Sequence, residues 1–407
     1  MNTMNQAFIS ESVIHFENFE IAFQDKTDKE LKLSYRLFQF INKPILIKLG
    51  SPFIRLALQY RLPVEGIVRA TIYKHFCGGE TIESCFPVIK KLLDSKISTI
   101  LDYSIEGKDS EHDFEETKQY ILSVIQAAKK RSDLSIFAVF KPSGMARMAL
   151  LEKMNDMKGR ASLSEEEKAE YERVVNRFDA ICKSAYEHDI PVYIDAEETW
   201  IQAAIDTLVT EMMVKYNQEK PIVFNTVQMY RTHRIEAMQD ALTHAKANGY
   251  FLGIKLVRGA YMEKERERAQ KFGYVSPIQA SKEATDQDFD SVLRFCVENI
   301  DRISLCAGTH NEKSAETLVK VMGDYGISAS DRRVWFSQLY GMSDHISYNL
   351  AAAGYNVSKY LPFGPVKGVL PYLIRRAEEN TSIAGQMGRE MSMLVKEIKR
   401  RKSIGKA

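Results

Sequence analysis

Residues 222–226 read IVFNT and residues 253–257 read GIKLV, two short β-branched runs with a long, charge-studded segment between them. Runs so short and so apolar suit parallel strands covered on both faces, and the segment between them is long enough for a crossover helix. The pattern extends outward in both directions. Upstream lie Pro191–Ile194, Ile136–Phe140 and Thr99–Tyr103; downstream lie Ile303–Ala307, Val334–Ser337 and Asn356–Tyr360. One intervening segment opens with Ser164 followed by Glu165, Glu166 and Glu167. A side-chain cap with acids in the first turn predicts a helix from there to about His188. Eight strands alternating with helices predict an α/β fold of the (β/α)8 barrel type rather than an open doubly wound sheet. No GxGxxG follows any of the runs, which argues against a dinucleotide-binding half.

Residues 1–95 read as a helical extension, with amphipathic runs at Asp28–Ile41 and Pro44–Tyr60 between Pro and Gly punctuation. The expected organisation is that extension, a barrel over 96–385, and a basic tail over 386–407. Across 407 residues, Lys+Arg 56 against Asp+Glu 54 leaves a net charge of +2, spread without a stripe, so no nucleic-acid partner is expected. Five cysteines without a CxxC pair suit free buried thiols in a reducing compartment. Glu11, Glu17, Glu20 and Asp25 precede the first basic residue, Lys26, a pattern unlike a secretory or mitochondrial leader. The most apolar region, 44–60, is interrupted by Lys48, Gly50, Pro52 and Arg55, so no membrane span is expected.

In a (β/α)8 barrel, chemistry sits at the C-terminal strand ends. Those positions hold Asp102, Lys141 (FKPSGM), Asp195 (YIDAEET), Gln228 (TVQMYR), Lys255, Arg258 and Tyr261 (KLVRGAY), Thr309-His310-Asn311, Gln338 and Tyr360 (KYLPFGP). Any one of them alone reads as a satisfied polar group at a sheet edge. Polar residues at eight consecutive strand ends predict a functional mouth, because charges rarely stay buried without partners. Lys141 or Lys255 leaves open an imine-forming aldolase or lyase. His233 has no companion at ligand spacing, so no metal is expected.

The segments GGETIE (78–83), IDAEET (194–199), KLVRGAYMEKER (255–266), THN (309–311) and KYLPFGPVKGVLPYLIRRAEEN (359–380) resemble the signature segments of the proline dehydrogenase family. The resemblance implies oxidation of L-proline to 1-pyrroline-5-carboxylate, with hydride delivered to N5 of an FAD held at the barrel mouth. It further implies a distorted barrel whose displaced final helix covers the substrate, and that Lys141, Arg375 and Arg376 bind the substrate carboxylate. Glu80 pairs with one of those arginines in the closed site, and Asp195 orients Lys141. Tyr360, Tyr372 and Leu339 wall the ring, and the bulk of Tyr360 favours proline over hydroxyproline, the substrate of another branch. Lys255 stands near flavin N5, completing with Lys141 and Asp195 the expected catalytic set; many bacterial relatives have the Lys255 and Arg258 residue types exchanged. Gln228, Arg258, Gly259, Ala260, Tyr261, Thr309, His310, Asn311, Gln338 and Glu379 make up the cofactor set, with no acid–base role for His310. The resemblance also implies a stand-alone enzyme passing electrons to a membrane quinone. Peripheral attachment to the inner face of a bacterial membrane would then use the basic tail or the 44–74 region. The remaining rival is a catalytically inactive protein of the membrane surface.

Overall fold

The computed structural model describes residues 14–41, 65–105, 109–156, 159–382 and 386–405, with the side chains of 40–41, 377–382 and 386–387 outside that description. The expected run at Pro44–Tyr60 and most of the 44–74 region therefore lie outside the described residues.

Eight parallel strands close in sequence order into a barrel. They are β1 (Ile97–Tyr103), β2 (Ile136–Phe140), β3 (Val192–Ile194), β4 (Val223–Gln228), β5 (Leu252–Val257), β6 (Ile303–Gly308), β7 (Val334–Leu339) and β8 (Val357–Phe363). Closure is carried by β1 against β8, with Ile100 opposite Tyr360. Each crossover is helical, as the gaps demand. The helix Glu165–His188 starts as its sequence predicts: Ser164 accepts from the Glu167 N–H while Glu167 reaches back to the Ser164 N–H. It ends where Asp189 turns left-handed at φ 56°.

Two layers of core follow from the period-two alternation of strands. Residues such as Leu101, Ala138, Val192 and Leu305 face the helices. Ile100, Val139, Tyr193, Phe224 and Cys306 face inward and fill the barrel with Trp335, Phe137 and Tyr360 beside them. The interior is therefore a packed plug, open to chemistry only above it.

A third cluster joins the chain's two ends. Leu31, Phe76, Val366, Val369 and Leu373 are fully buried together with Met393 and Leu394, and each such side chain contributes about 1.5–3 kcal/mol. The residues expected as a basic tail are thus no free tail. They form the helix Gln386–Ile404, whose Met393, Leu394 and Glu397 are buried and whose Arg401 donates to the carbonyls of Phe23 and Lys26 at 2.8 and 2.7 Å. Its apolar stripe packs on the N-terminal extension, and Lys396, Lys399 and Lys402 are exposed on the other side.

Segment 73–80 docks on the end of β8. Gly78 N–H donates to Pro362 O, Gly364 N–H to Gly79 O, and Tyr73 O–H to Gly364 O. A side chain at Gly78 would meet Leu361 at 2.8 Å and one at Gly79 would meet Ser84 at 2.2 Å, so only glycine allows this approach. Gly364, at φ 140°, then turns the chain into the displaced final barrel helix, Val366–Ser382. All five cysteines are buried and unpaired. Among the described residues no helix is long and apolar enough to cross a membrane.

Candidate active site

Two residues beyond each plug side chain, the strand again points inward. Ile100 leads to Asp102, Val139 to Lys141 and Tyr193 to Asp195, and Lys255 from β5 and Tyr360 from β8 reach the same layer through their side chains. The sequence thus places a charged layer directly over an apolar floor.

That layer is paired internally. Asp102, 1% exposed, accepts from Lys141 at 3.2 Å and from the Ser104 hydroxyl. Asp195 accepts from Lys255 and, at 2.8 Å, from the Tyr360 hydroxyl. Lys255 also lies over the rings of Tyr193 and Tyr360 at 5.8 and 5.3 Å. Burial pushes the Asp195 carboxyl up, but Lys255, Lys141 and the Tyr360 hydroxyl outweigh it and hold the group below the ordinary carboxylate range. Burial, with the nearby Asp102 and Asp195, pushes Tyr360 well above the usual phenol value, so it stays a neutral donor. Asp102 forms the ion pair with Lys141 and Asp195 the ion pair with Lys255, while Lys141 also acts electrostatically on Asp195. Lys141 reaches back to the adjacent strand β1, whereas Lys255 reaches across β4 to the end of β3.

The final helix covers this layer. Tyr372, buried, stands close enough for its hydroxyl to act electrostatically on Tyr360. Arg375 and Arg376 are successive helical residues and diverge by about 100°. Arg375 acts on Tyr261 from the β5 loop, whereas Arg376 acts on His310 from the β6 loop and lies 5.2 Å over the Tyr372 ring. Glu80, at the rim, pairs with Arg69 at 2.8 Å. Leu339, half-buried at the end of β7, completes the wall.

The expected cofactor residues divide in two. Gln228, 2% exposed, donates to Glu197 O at 3.0 Å, and its Oε1 is buried with no partner among the described residues. Gly259 and Ala260 are exposed at the rim, and Tyr261 is half-buried beside them. Gly259 must be glycine: φ is 128° and a Cβ would meet the Tyr230 ring at 2.5 Å. By contrast, Arg258 spends three of its five donors on Asp286, Thr309 and Ser314 at 2.7–2.9 Å. Asn311 caps the helix Glu312–Asp324 through its side-chain oxygen. His310 shares a 2.9 Å hydrogen bond with Ser343, and burial pushes it down to about 3, so the ring is neutral. Gln338 needs a further correction. It sits one residue before the strand end, so its side chain points out to the helix layer. There Ser347 donates to its oxygen at 2.8 Å, while its nitrogen donates to Thr309 O at 3.1 Å. The side chain of Glu379 lies outside the described residues.

One participant, Glu197, escapes a reading of strand ends, and the pairing of a second, Asp102, escapes it too. Glu197, 3% exposed, accepts from both the N–H and the hydroxyl of Ser143, two residues after Lys141, at 2.7 and 2.6 Å. Burial pushes it up to about 7. Asp102 is visible as a strand end, but nothing in the linear pattern couples it to Lys141. Among the described residues no cluster of three or more ligating side chains is placed to hold a metal.

Fold and mouth together define a (β/α)8-barrel enzyme whose site pairs fixed cations with an apolar floor. Residues 85–389 match the family model described as proline dehydrogenase. The chain belongs to the proline dehydrogenase family. It is 33% identical to the carbapenem antibiotics biosynthesis protein CarD of Pectobacterium carotovorum, over 83% of this chain and 86% of that one. Proline dehydrogenase 1, mitochondrial, of Dictyostelium discoideum is 32% identical over 83% and 66% of the two chains. Hydroxyproline dehydrogenase of Xenopus laevis is 32% identical over 93% and 88%. In fold, the chain resembles proline utilization A from Bdellovibrio bacteriovorus, with a TM-score of 0.72 at 19% identity, covering 92% of this chain and 40% of that much longer one.

Proposed function

We propose that the protein oxidises L-proline to 1-pyrroline-5-carboxylate with FAD bound at the barrel mouth, and that a membrane quinone takes the electrons onward. The observation that carries this reading is the charged layer of Lys141, Lys255, Asp102 and Asp195 set over an apolar floor. The orphaned Gln228 Oε1 supports it, since a buried acceptor without a partner fits a ring N–H of an isoalloxazine. When bound, FAD supplies the two-electron acceptor for the ring C–H next to nitrogen. Lys255 is the cation for the charge gathered at the flavin, held by Asp195. Lys141, held by Asp102, joins Arg375 and Arg376 in fixing the substrate carboxylate, with arginine supplying the bidentate geometry. Tyr360, locked by Asp195, and Tyr372 and Leu339 enclose the ring and exclude water. The neutral Tyr360 hydroxyl stands where a ring hydroxyl would crowd it, which favours proline. Gly259, Ala260 and Tyr261 line the cofactor, with Thr309, His310 and Asn311 toward its phosphates. Glu379 belongs to the same set.

An imine-forming role suits neither lysine. Each ammonium is matched with a carboxylate, whereas imine formation needs the neutral amine. The relative named for hydroxyproline keeps that substrate as the second reading. Anaerobic addition of each amino acid to the FAD-loaded protein decides between them. L-proline should bleach the flavin spectrum at concentrations where hydroxyproline does not. Bleaching by hydroxyproline alone transfers the assignment to that substrate, and bleaching by neither rejects it.

A further inference from the structure

Among the described residues the acidic groups of the mouth are matched one by one, with a single exception. Asp102 has Lys141 at 3.2 Å, Asp195 has Lys255, and Glu198 has Lys264 at 2.9 Å. Glu197 has no ion-pair partner among the described residues; its two oxygens take only the N–H and O–H of Ser143. Its own N–H donates to Gln202, and its carbonyl accepts from Gln228. It is an anion-capable group, 3% exposed, stabilised by two dipoles and by the more distant charge of Lys141.

We infer that Glu197 takes up a proton when the site binds a carboxylate, which makes substrate binding proton-linked. The inference rests on the reading that Lys141 holds the substrate carboxylate. Lys141 is one of the groups that stabilise Glu197 as an anion, and Glu198 opposes it. Once a bound carboxylate offsets the ammonium, burial of Glu197 goes less compensated and the neutral acid is favoured. By linkage, the neutral acid in turn tightens binding. Glu197 is already poised, because burial, reinforced by Glu198 against the Ser143 hydrogen bonds, holds it at about 7.

The other charged groups facing it do not imitate this behaviour. Asp195 is held below the carboxylate range, and Tyr261, pushed far up by burial, stays neutral. Lys141, Lys255 and Lys264 are each ion-paired, and Arg375 acts on the mouth from the final helix as a permanent cation. His310 and His75, at about 3 and about 4, titrate well below neutrality. Glu197 is therefore a positioning and proton-holding residue rather than a catalytic one; nothing requires it to touch the reacting atoms.

The probe is tetrahydrofuran-2-carboxylate, the oxygen analogue of proline, which keeps the ring and carboxylate but has no amine to titrate. Its binding to the FAD-loaded protein is followed through the flavin absorbance from pH 6 to pH 9. The expected Kd rises about tenfold across that range, the change that a one-unit upward shift on binding produces. Calorimetry in buffers of different ionisation heat should show proton uptake near neutrality. Glu197→Gln, an isostere of the neutral acid, should bind at the tight low-pH value throughout, with no proton uptake. Ser143→Ala removes a hydrogen bond that favours the anion, so its bend should move to higher pH. A flat wild-type curve, or a Glu197→Gln curve that still follows the wild type, overturns the inference. Lys141→Met separates this from failure of the parent reading. If that variant binds the analogue as the wild type does, the carboxylate clamp is wrong and the inference falls with it; if it binds far more weakly while the wild-type curve is flat with pH, the clamp stands and the inference alone fails.

Discussion

Strand β8 carries two buried polar clusters on its opposite faces, one through Tyr360 and one through Lys359. Tyr360 points into the mouth and bonds Asp195, which also holds Lys255. Lys359, fully buried on the outer face, meets Asp344 at 2.9 Å, and Asp344 meets Lys26 of the N-terminal extension at 2.7 Å. The outer cluster is saturated. Lys359 also donates to the carbonyls of Met342 and Leu339 at 2.5 and 3.4 Å, and burial of the Asp344 carboxyl is outweighed by the two ammoniums, which hold it far below the carboxylate range. The inner cluster is not saturated: Gln228 Oε1 has no partner among the described residues and Glu197 has no cation. The same residue types thus build a fastener on one side and a receptor on the other. What differs is whether every donor and acceptor is already used.

The fastener serves the receptor. The loop after β7, from Leu339 to Asp344, is gripped by Lys26, Lys359, His75 through Gly341 O at 2.9 Å, and Glu390 through the Ser343 N–H at 2.8 Å. Gly341, at φ 79°, allows the His75 carbonyl within 2.3 Å of where a Cβ would stand. Both ends of the chain therefore hold the loop that begins with the Leu339 wall, which gives the helical extension a purpose beyond covering the barrel.

The contrast is broken most severely by Asp344→Asn, which leaves the fully buried Lys359 and the half-buried Lys26 without their shared ion-pair partner. A loss of about 3–5 kcal/mol is expected in urea unfolding, and a change under 1 kcal/mol would show that the triad is no fastener. Arg376→Met should instead leave unfolding far less affected. It should raise KM for proline roughly a hundredfold, about 3 kcal/mol, with the flavin retained. Tyr360→Phe removes one donor to Asp195, so kcat/KM should fall roughly fivefold, about 1 kcal/mol. An unchanged value there would mean that the hydroxyl neither locks the ring wall nor orients Asp195.

The smallest effect is a pH dependence with two opposing signs. His75 and His310 have folded values of about 4 and about 3, below the usual 6.5, so their contribution is full above 6.5 and is lost as pH falls through those values. Glu197, raised to about 7 from 4.5, behaves oppositely: its contribution is full below 4.5 and is lost as pH rises through about 7. Glu197→Gln should therefore steepen the net decline in urea midpoint between pH 6.5 and pH 4.5, whereas His75→Phe should flatten it.

The barrel was legible because alternating apolar runs and long gaps leave few other ways to bury eight strands, and the Ser164 cap fixed a helix start to the residue. Among site residues, Asp195, Lys255, Gln228 and Tyr360 were legible from their position at strand ends. Gln338 shows the limit: a one-residue difference in where β7 ends sends a side chain to the opposite face of the sheet. The partners of Lys141 and Glu80 were not legible either. Pairing across neighbouring strands depends on tilt and side-chain reach, and Arg69 approaches Glu80 from a helix with no sequence link to the mouth. The packing of the C-terminal helix was not legible, because a run of Lys and Arg hides the buried stripe of Met393, Leu394 and Glu397.

The central claim is that cations at the mouth pin an anionic carboxylate for oxidation of the attached ring. Anaerobic reduction of the FAD-loaded protein by L-proline and by L-prolinamide, which keeps the ring and amine but has no charged carboxylate, tests it most directly. Reduction by proline with prolinamide at least roughly a hundredfold less effective, about 3 kcal/mol, is the expected result. Equal reduction by the two would contradict the account.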